Sequence, residues 1–328
     1  MLSLDTAATR KPGLGNTIFK MKKVLIFVDK TGPKSRYITS YLSEHLSGIE
    51  FHLVNLSDLF FELKGTDLKV KLLSLNKNLD DYDYVFFRRV GRRFVSLGVS
   101  TAICVNHFGL KFIDSADADY ANSGPAGDKL TSLLRLSLGG LPTLHTIACW
   151  KSEIENQADY IISELGFPVV AKELNSQHGS GIRILRDKGD FKKLISEEAT
   201  KDSDVNQYLF QKYIEFDGEY RFLVMGKKVR SVQKMYRDTS GYKLRIDMNR
   251  AEEFLPVENF PPEMLKIAVD ATKALNLQIA GIDLAVEKGT GKVYLFEVNR
   301  GPGFTYDTKV SPEIPELAKF IEEKIESH

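Results

Sequence analysis

The sequence predicts an α/β unit followed by two α+β units, and three observations lead to that class. Its first third alternates apolar strand-like runs with helical stretches, the order that gives a parallel sheet. Its last third joins apolar runs through short turns, as antiparallel strands do. Between them, the stretch S-A-D-A-D-Y-A-N-S-G-P-A-G from Ser115 shifts to small and turn-forming residues and marks a boundary.

Residues 1–20 hold no continuous apolar stretch of signal-peptide type and read as a loose leader, with Met21 placed directly before the first strand as a second possible start. The G-L-G at 13–15 follows no strand, so it is no dinucleotide fingerprint. The α/β unit then covers 21–115, with strands at 23–28, 51–54, 83–87 and 111–113 and helices at 35–47 and 95–108. A middle unit, 116–203, carries helices at 128–138 and 152–165 and strands at 144–148, 168–172 and 182–185. The final unit, 204–328, carries strands at 208–214, 220–225 and 229–235 and a hairpin over 280–299.

Bulk properties exclude several classes. Among 328 residues, 45 basic and 44 acidic side chains nearly cancel, so no basic excess argues for nucleic acid. Cys104 and Cys149 lack metal-type spacing and sit among apolar residues, which points to packing roles and a reducing, cytoplasmic compartment. No run of 18 apolar residues occurs, so no membrane partner is expected. The histidines show no ligand spacing for zinc.

The hairpin carries the sharpest chemical signal. In V-Y-L-F-E-V-N (293–299), Glu297 and Asn299 are two apart and share one face, leaving Phe296 and Val298 for the core. Asp283, in A-G-I-D-L, sits among hydrophobics on the preceding strand. If K-G-T-G (288–291) closes a loop of odd length, Asp283 falls on the face of Glu297 and Asn299. Two carboxylates and an amide oxygen suit a hard cation such as Mg2+; a solvated polar face is the plainer use of the same residues.

Upstream, Lys172 ends an apolar strand, and E-L-N-S-Q-H-G-S-G follows. Gly179, Ser180 and Gly181 would let backbone amides approach phosphate closely, although a plain hairpin turn fits them as well. His178 reads as polar filler of that loop. Lys129 opens a helix after G-P-A-G-D, within reach of phosphate or simply exposed. Gln211, Lys212, Tyr213 and Ile214 end a strand whose backbone can read an adenine edge, and Glu219 closes an acidic turn that can accept ribose hydroxyls.

Taken in order, the motifs F-F-R-R-V-G, G-D-K-L-T-S-L-L, F-P-V-V-A-K, H-G-S-G-I, Q-K-Y-I, D-G-E-Y-R-F-L-V, A-G-I-D-L and F-E-V-N-R-G-P-G resemble the ATP-grasp superfamily, in its RimK-like carboxylate-amine ligase branch. The resemblance implies an N-terminal pre-ATP-grasp domain and two subdomains clamping ATP. It puts Lys129 and Lys172 on the phosphates with Gly179, Ser180 and Gly181 over them, and Gln211 to Ile214 beside adenine. Glu219 is implied on the ribose or substrate side, and Asp283, Glu297 and Asn299 as ligands of Mg2+, with Mn2+ an alternative. Arg221 is implied near the transferred phosphate, with Lys234 and Arg237 as further catalytic candidates, and Arg89 and Arg250 toward the substrate. Arg88, Arg92 and Arg93 extend the basic patch around Arg89.

The implied reaction joins a small-molecule or peptide carboxylate to an amine through an acylphosphate, in a chain that can form homo-oligomers. A phosphotransferase acting on a hydroxyl, or a scaffold that binds ATP without turnover, would use the same nucleotide elements.

Overall fold

The first apolar run, β1 (Lys22–Val28), lies at the centre of a parallel sheet because it is buried on both faces, as the near-continuous sequence KKVLIFV requires. The computed structural model describes residues 21–65, 67–114, 129–174, 181–200, 207–235 and 253–327. β1 pairs in parallel with β2 (Ile49–Asn55) and with β6 (Tyr84–Arg89), which pairs in turn with β7 (Lys111–Phe112). Helix α1 (Pro33–His45) and helix α2 (Val95–His107) make the crossovers. A three-stranded meander of β3 (Leu59–Lys64), β4 (Asp67–Leu72) and β5 (Lys77–Asn78) is inserted between β2 and β6. It packs Val70 and Leu72 onto the α2 face of the sheet, together with buried Cys104.

A second sheet has the order β10-β9-β11-β8, built from β8 (Thr146–Trp150), β9 (Val169–Glu173), β10 (Ile182–Leu185) and β11 (Gln207–Lys212). One face is closed by α4 (Ile154–Leu165) and α5 (Lys188–Ala199) through Ile161, Leu165, Phe191 and Leu194. Asp187 starts α5 by accepting from the amides of Gly189 and Asp190 at 2.7 and 3.0 Å. Val169, Ala171, Tyr208 and Phe210 point to these helices, so by alternation Val170, Lys172, Leu209 and Gln211 point to the other face.

The third sheet is antiparallel, in the order β14-β13-β12-β15-β16. Its strands are β12 (Phe216–Met225), β13 (Lys228–Met235), β14 (Glu253–Leu255), β15 (Ile279–Glu287) and β16 (Val293–Asn299). Helix α6 (Pro262–Ala274) covers one face through Met264, Ile267, Ala268 and Ala271. Leu136 of α3 (Lys129–Leu138) joins that core.

The opposite face of β12 is divided. Leu223 and Met225 pack with Ile26, Phe86 and the C-terminal helix α7 (Glu313–Glu326), so the first and third sheets share one core. Glu219 and Arg221, earlier on the same face, are left for another purpose. Helix α7 buries Ile314, Leu317, Phe320 and Ile321, and each such side chain contributes about 1.5–3 kcal/mol. Arg230 of β13 ties its outer face to Glu316 and Glu323 at 3.3 and 2.5 Å. Among the described residues, no helix is long and apolar enough to cross a membrane.

Candidate active site

The acids of the third sheet meet through a register shift. At the turn, Val286 pairs with Val293 and Leu284 with Leu295, a register that would set Asp283 opposite Phe296. A bulge after Asp283 moves the pairing by one residue, so Asp283 faces Glu297 and Gly281 faces Asn299. Phe296 is thereby taken out of the core expected for it. Its ring lies 4.7 Å from that of Phe216, edge-on, and 5.7 Å from the Lys172 Nζ of the second sheet. Val298 does reach the α6 core.

On β12, Arg221 lies directly opposite Asp283, so four side chains converge on one face: Glu219, Arg221, Asp283 and Glu297. Arg221 donates through Nε and Nη2 to the two oxygens of Asp283 at 2.7 and 2.8 Å. Asn299 Nδ2 donates to the same carboxylate at 3.1 Å. Burial disfavours the charged guanidinium, yet Asp283, with Glu297 and Glu219 behind it, more than offsets that cost and raises the Arg221 pKa above its ordinary value. Gly281 is needed beside them: a Cβ there would lie 3.1 Å from Pro302 Cβ and 3.4 Å from Arg221 Cδ.

These residues fit a hard divalent cation. Asp283 is fully shielded, whereas Glu297 is exposed and presents an open carboxylate. Because Asn299 gives its amide nitrogen to Asp283, its oxygen is turned elsewhere. No third histidine, cysteine or acid completes a metal cluster among the described residues, so phosphate oxygens and water would fill the remaining positions.

Facing this sheet, the second sheet presents Lys172, Val170, Leu209 and Gln211. The mouth of the β9–β10 hairpin is closed by Glu173 N donating to Gly181 O at 2.9 Å. Gln211 is buried and donates to Thr146 Oγ1 at 2.8 Å. The strand end is held by the amides of Lys212 and Tyr213, which donate to His145 O and Pro168 O at 3.3 Å each. Lys212 and buried Ile214 border a cavity of about 740 Å³ walled by Leu130, Leu133, Leu144 and Tyr294. Lys129 opens α3 next to Leu130 on that wall.

Lys234 pairs with Tyr220 and lies 3.9 Å from Glu253, on the face opposite Arg221, because adjacent strand residues alternate; Gln233 takes the place beside Arg221. Arg89 is exposed at the end of β6, whereas Arg88 turns inward to Pro302 and Phe304. Gly179, Ser180, His178, Arg237 and Arg250 lie outside the described residues. The sequence could not single out Phe296, Gln233 and Arg88, since each depends on a strand register or bulge. Cys149 is held by burial as a protonated thiol, its pKa pushed up to about 11, in keeping with a packing role.

Comparison with known proteins follows the same lines. A model of the RimK-like ATP-grasp domain matches residues 126–319, more than half of the chain. A Haemophilus influenzae protein named Probable alpha-L-glutamate ligase is 32% identical over 238 residues, 71% of this chain and 72% of that one. A D-alanine–D-alanine ligase from Caldicellulosiruptor bescii is 29% identical over 182 residues, covering 51% and 49% of the two chains. Among solved structures, the ATP-grasp ligase PsnB complexed with a minimal precursor aligns with a TM-score of 0.67 at 15% identity, over 93% of this chain and 99% of that one. The D-alanine–D-alanine ligase of Bacillus anthracis complexed with ATP gives 0.61 at 19% identity, over 92% and 96%. At such identities the structural likeness shows a shared fold.

Proposed function

Because this chain belongs to the RimK-like ATP-grasp family and is an ATP-dependent carboxylate-amine ligase, we propose that its nucleotide lies between the second and third sheets, with the phosphates above Arg221 and Asp283. The observation that carries this reading is the approach of Lys172 from one sheet to Phe296 on the other, one residue from Glu297. A cation and an apolar ring meeting across a cleft, next to paired acids, suit a triphosphate at one end and a base at the other.

Lys172 and Lys129 neutralise phosphate, and Gly179, Ser180 and Gly181 cover it. Gln211, Lys212, Tyr213 and Ile214 border adenine, and Glu219 lies toward the ribose or the substrate. Asp283, Glu297 and Asn299 would hold Mg2+ or Mn2+, which when bound neutralises phosphate charge and orients the leaving group. Arg221 keeps its charge under burial and supplies a fixed cation beside the transferred phosphoryl group. Lys234 has no part in this reading.

The acid substrate's carboxylate oxygen attacks the terminal phosphorus, and the bond to the ADP oxygen breaks. The resulting acylphosphate is attacked at its carbonyl carbon by the amine, which loses a proton as phosphate leaves. The products are ADP, phosphate and an amide. Substrates of amino-acid or peptide type are supported by the ligase names among the relatives and by the precursor bound to PsnB. A homo-oligomer in the cytoplasm completes the proposal.

The test is ADP release against a panel of amino acids and short peptides, with mass measurement of the product. Release that needs both an acid and an amine, with a product lighter than their sum by one water, supports the reading. ADP release that proceeds with a hydroxyl compound alone, yielding a phosphate ester, would contradict it.

A further inference from the structure

The geometry points to Arg88 as a specificity-determining residue that holds a carboxylate of the substrate which ligation leaves intact. This rests on the ligase reading and adds to it a place for the unreacted end of the substrate. Arg88 stands at the end of β6 and reaches the loop that follows Asn299: Nη2 donates to Pro302 O at 2.8 Å, and the guanidinium carbon lies 4.2 Å from the Phe304 ring centroid. Pro302 and the Arg221 stem both crowd Gly281, so Arg88 and Arg221 approach the same short stretch of chain. In this proposal, the unreacted end of a ligand that reacts beside Arg221 lies toward Arg88.

Among the described residues Arg88 has no ion-pair partner, although Tyr306, Glu313 and Asp114 lie near enough to favour its charge. Its Nε is buried without a hydrogen-bond partner among the described residues. Of the two nearby acids, Glu313 accepts from Thr305 N at 2.7 Å and Ser311 Oγ at 3.1 Å, and Asp114 accepts from Gln278 N at 3.3 Å. Desolvation lowers the Arg88 pKa to about 10, with Tyr306, Glu313 and Asp114 opposing and Arg89 adding to the fall. A neutral carbonyl and an aromatic ring would fix the loop equally well with an uncharged donor, at less desolvation cost. A planar fork whose Nη2 holds a backbone carbonyl and whose Nε has no partner, on a residue that is not wholly enclosed, suits a carboxylate. Exposed Arg89, at the rim, adds positive potential on the way in.

The experiment uses the full chain loaded with Mg2+ and a non-hydrolysable ATP analogue, titrated calorimetrically with L-glutamate and with its uncharged diamide. Glutamate binds the wild type, and Arg88→Met weakens it on the order of tenfold to a hundredfold. Arg88→Lys falls between, since it keeps the charge and loses the fork. The diamide binds weakly to all three proteins, and the analogue binds all three alike. Equal glutamate affinity in wild type and Arg88→Met, no glutamate binding to the wild type, or analogue affinity lost in parallel would each overturn the inference. ADP release by the wild type with acid and amine, measured alongside, fails only if the ligase reading itself is wrong.

Discussion

Arg221 and Asp283 face each other across β12 and β15 and are joined by two parallel hydrogen bonds, with the Asp283 side chain fully shielded from solvent. Removing the arginine would leave a shielded carboxylate with only the Asn299 amide for company. Arg221→Met should therefore destabilise the protein by about 3–5 kcal/mol, as breaking a buried pair does. Chemical denaturation checks this, and Arg221→Met combined with Asp283→Leu should recover part of the loss.

Glu297 offers the converse case. It is exposed, so Glu297→Ala should leave the melting temperature within about 2 °C of the wild type. Turnover should fall by roughly 100-fold or more, because the cation site loses its open carboxylate. Full turnover in this variant would remove Glu297 from the site.

Lys172 and Lys234 separate two faces. Lys172→Ala should raise the ATP concentration needed for half-maximal rate by about 10- to 100-fold, since a charge-assisted contact is lost. Lys234→Ala, on the other face beside Glu253, should change it by less than about twofold. Steady-state kinetics on both variants tests the assignment of faces.

The Arg230 tie to α7 gives a pH signature. The hydrogen bond from Arg230 lowers the Glu323 pKa in the folded state. A lowered folded pKa means the contribution is present above the unfolded carboxylate range, near pH 4, and is lost as pH falls through the folded value. Glu323 is half exposed, so the contribution is below about 1 kcal/mol. The melting-temperature gap between wild type and Glu323→Gln should be measurable at about pH 6 and shrink as pH falls below the ordinary carboxylate range near pH 4.

Particular elements show where the sequence was informative. The parallel strands 23–28 and 83–87 were legible because they are apolar throughout, and Asp283, Glu297 and Asn299 because polar residues interrupt such runs. Helix α7 went unread although Ile314, Leu317, Phe320 and Ile321 follow helical spacing, as Pro315 sits in its first turn. The meander at 59–78 was hidden by alternating lysines on its exposed face. The faces of Phe296, Arg88 and Lys234 were beyond reach, because one extra residue in a bulge reverses every later side chain.

The most direct measurement of the central claim follows an oxygen atom. The acid substrate is labelled with oxygen-18 in its carboxylate, and the phosphate released during ligation is analysed by mass. Attack by that carboxylate on ATP predicts one labelled oxygen in each phosphate, with the remaining label in the amide. Unlabelled phosphate, with the oxygen lost from the carboxylate found in water or in the nucleotide product instead, would contradict the account.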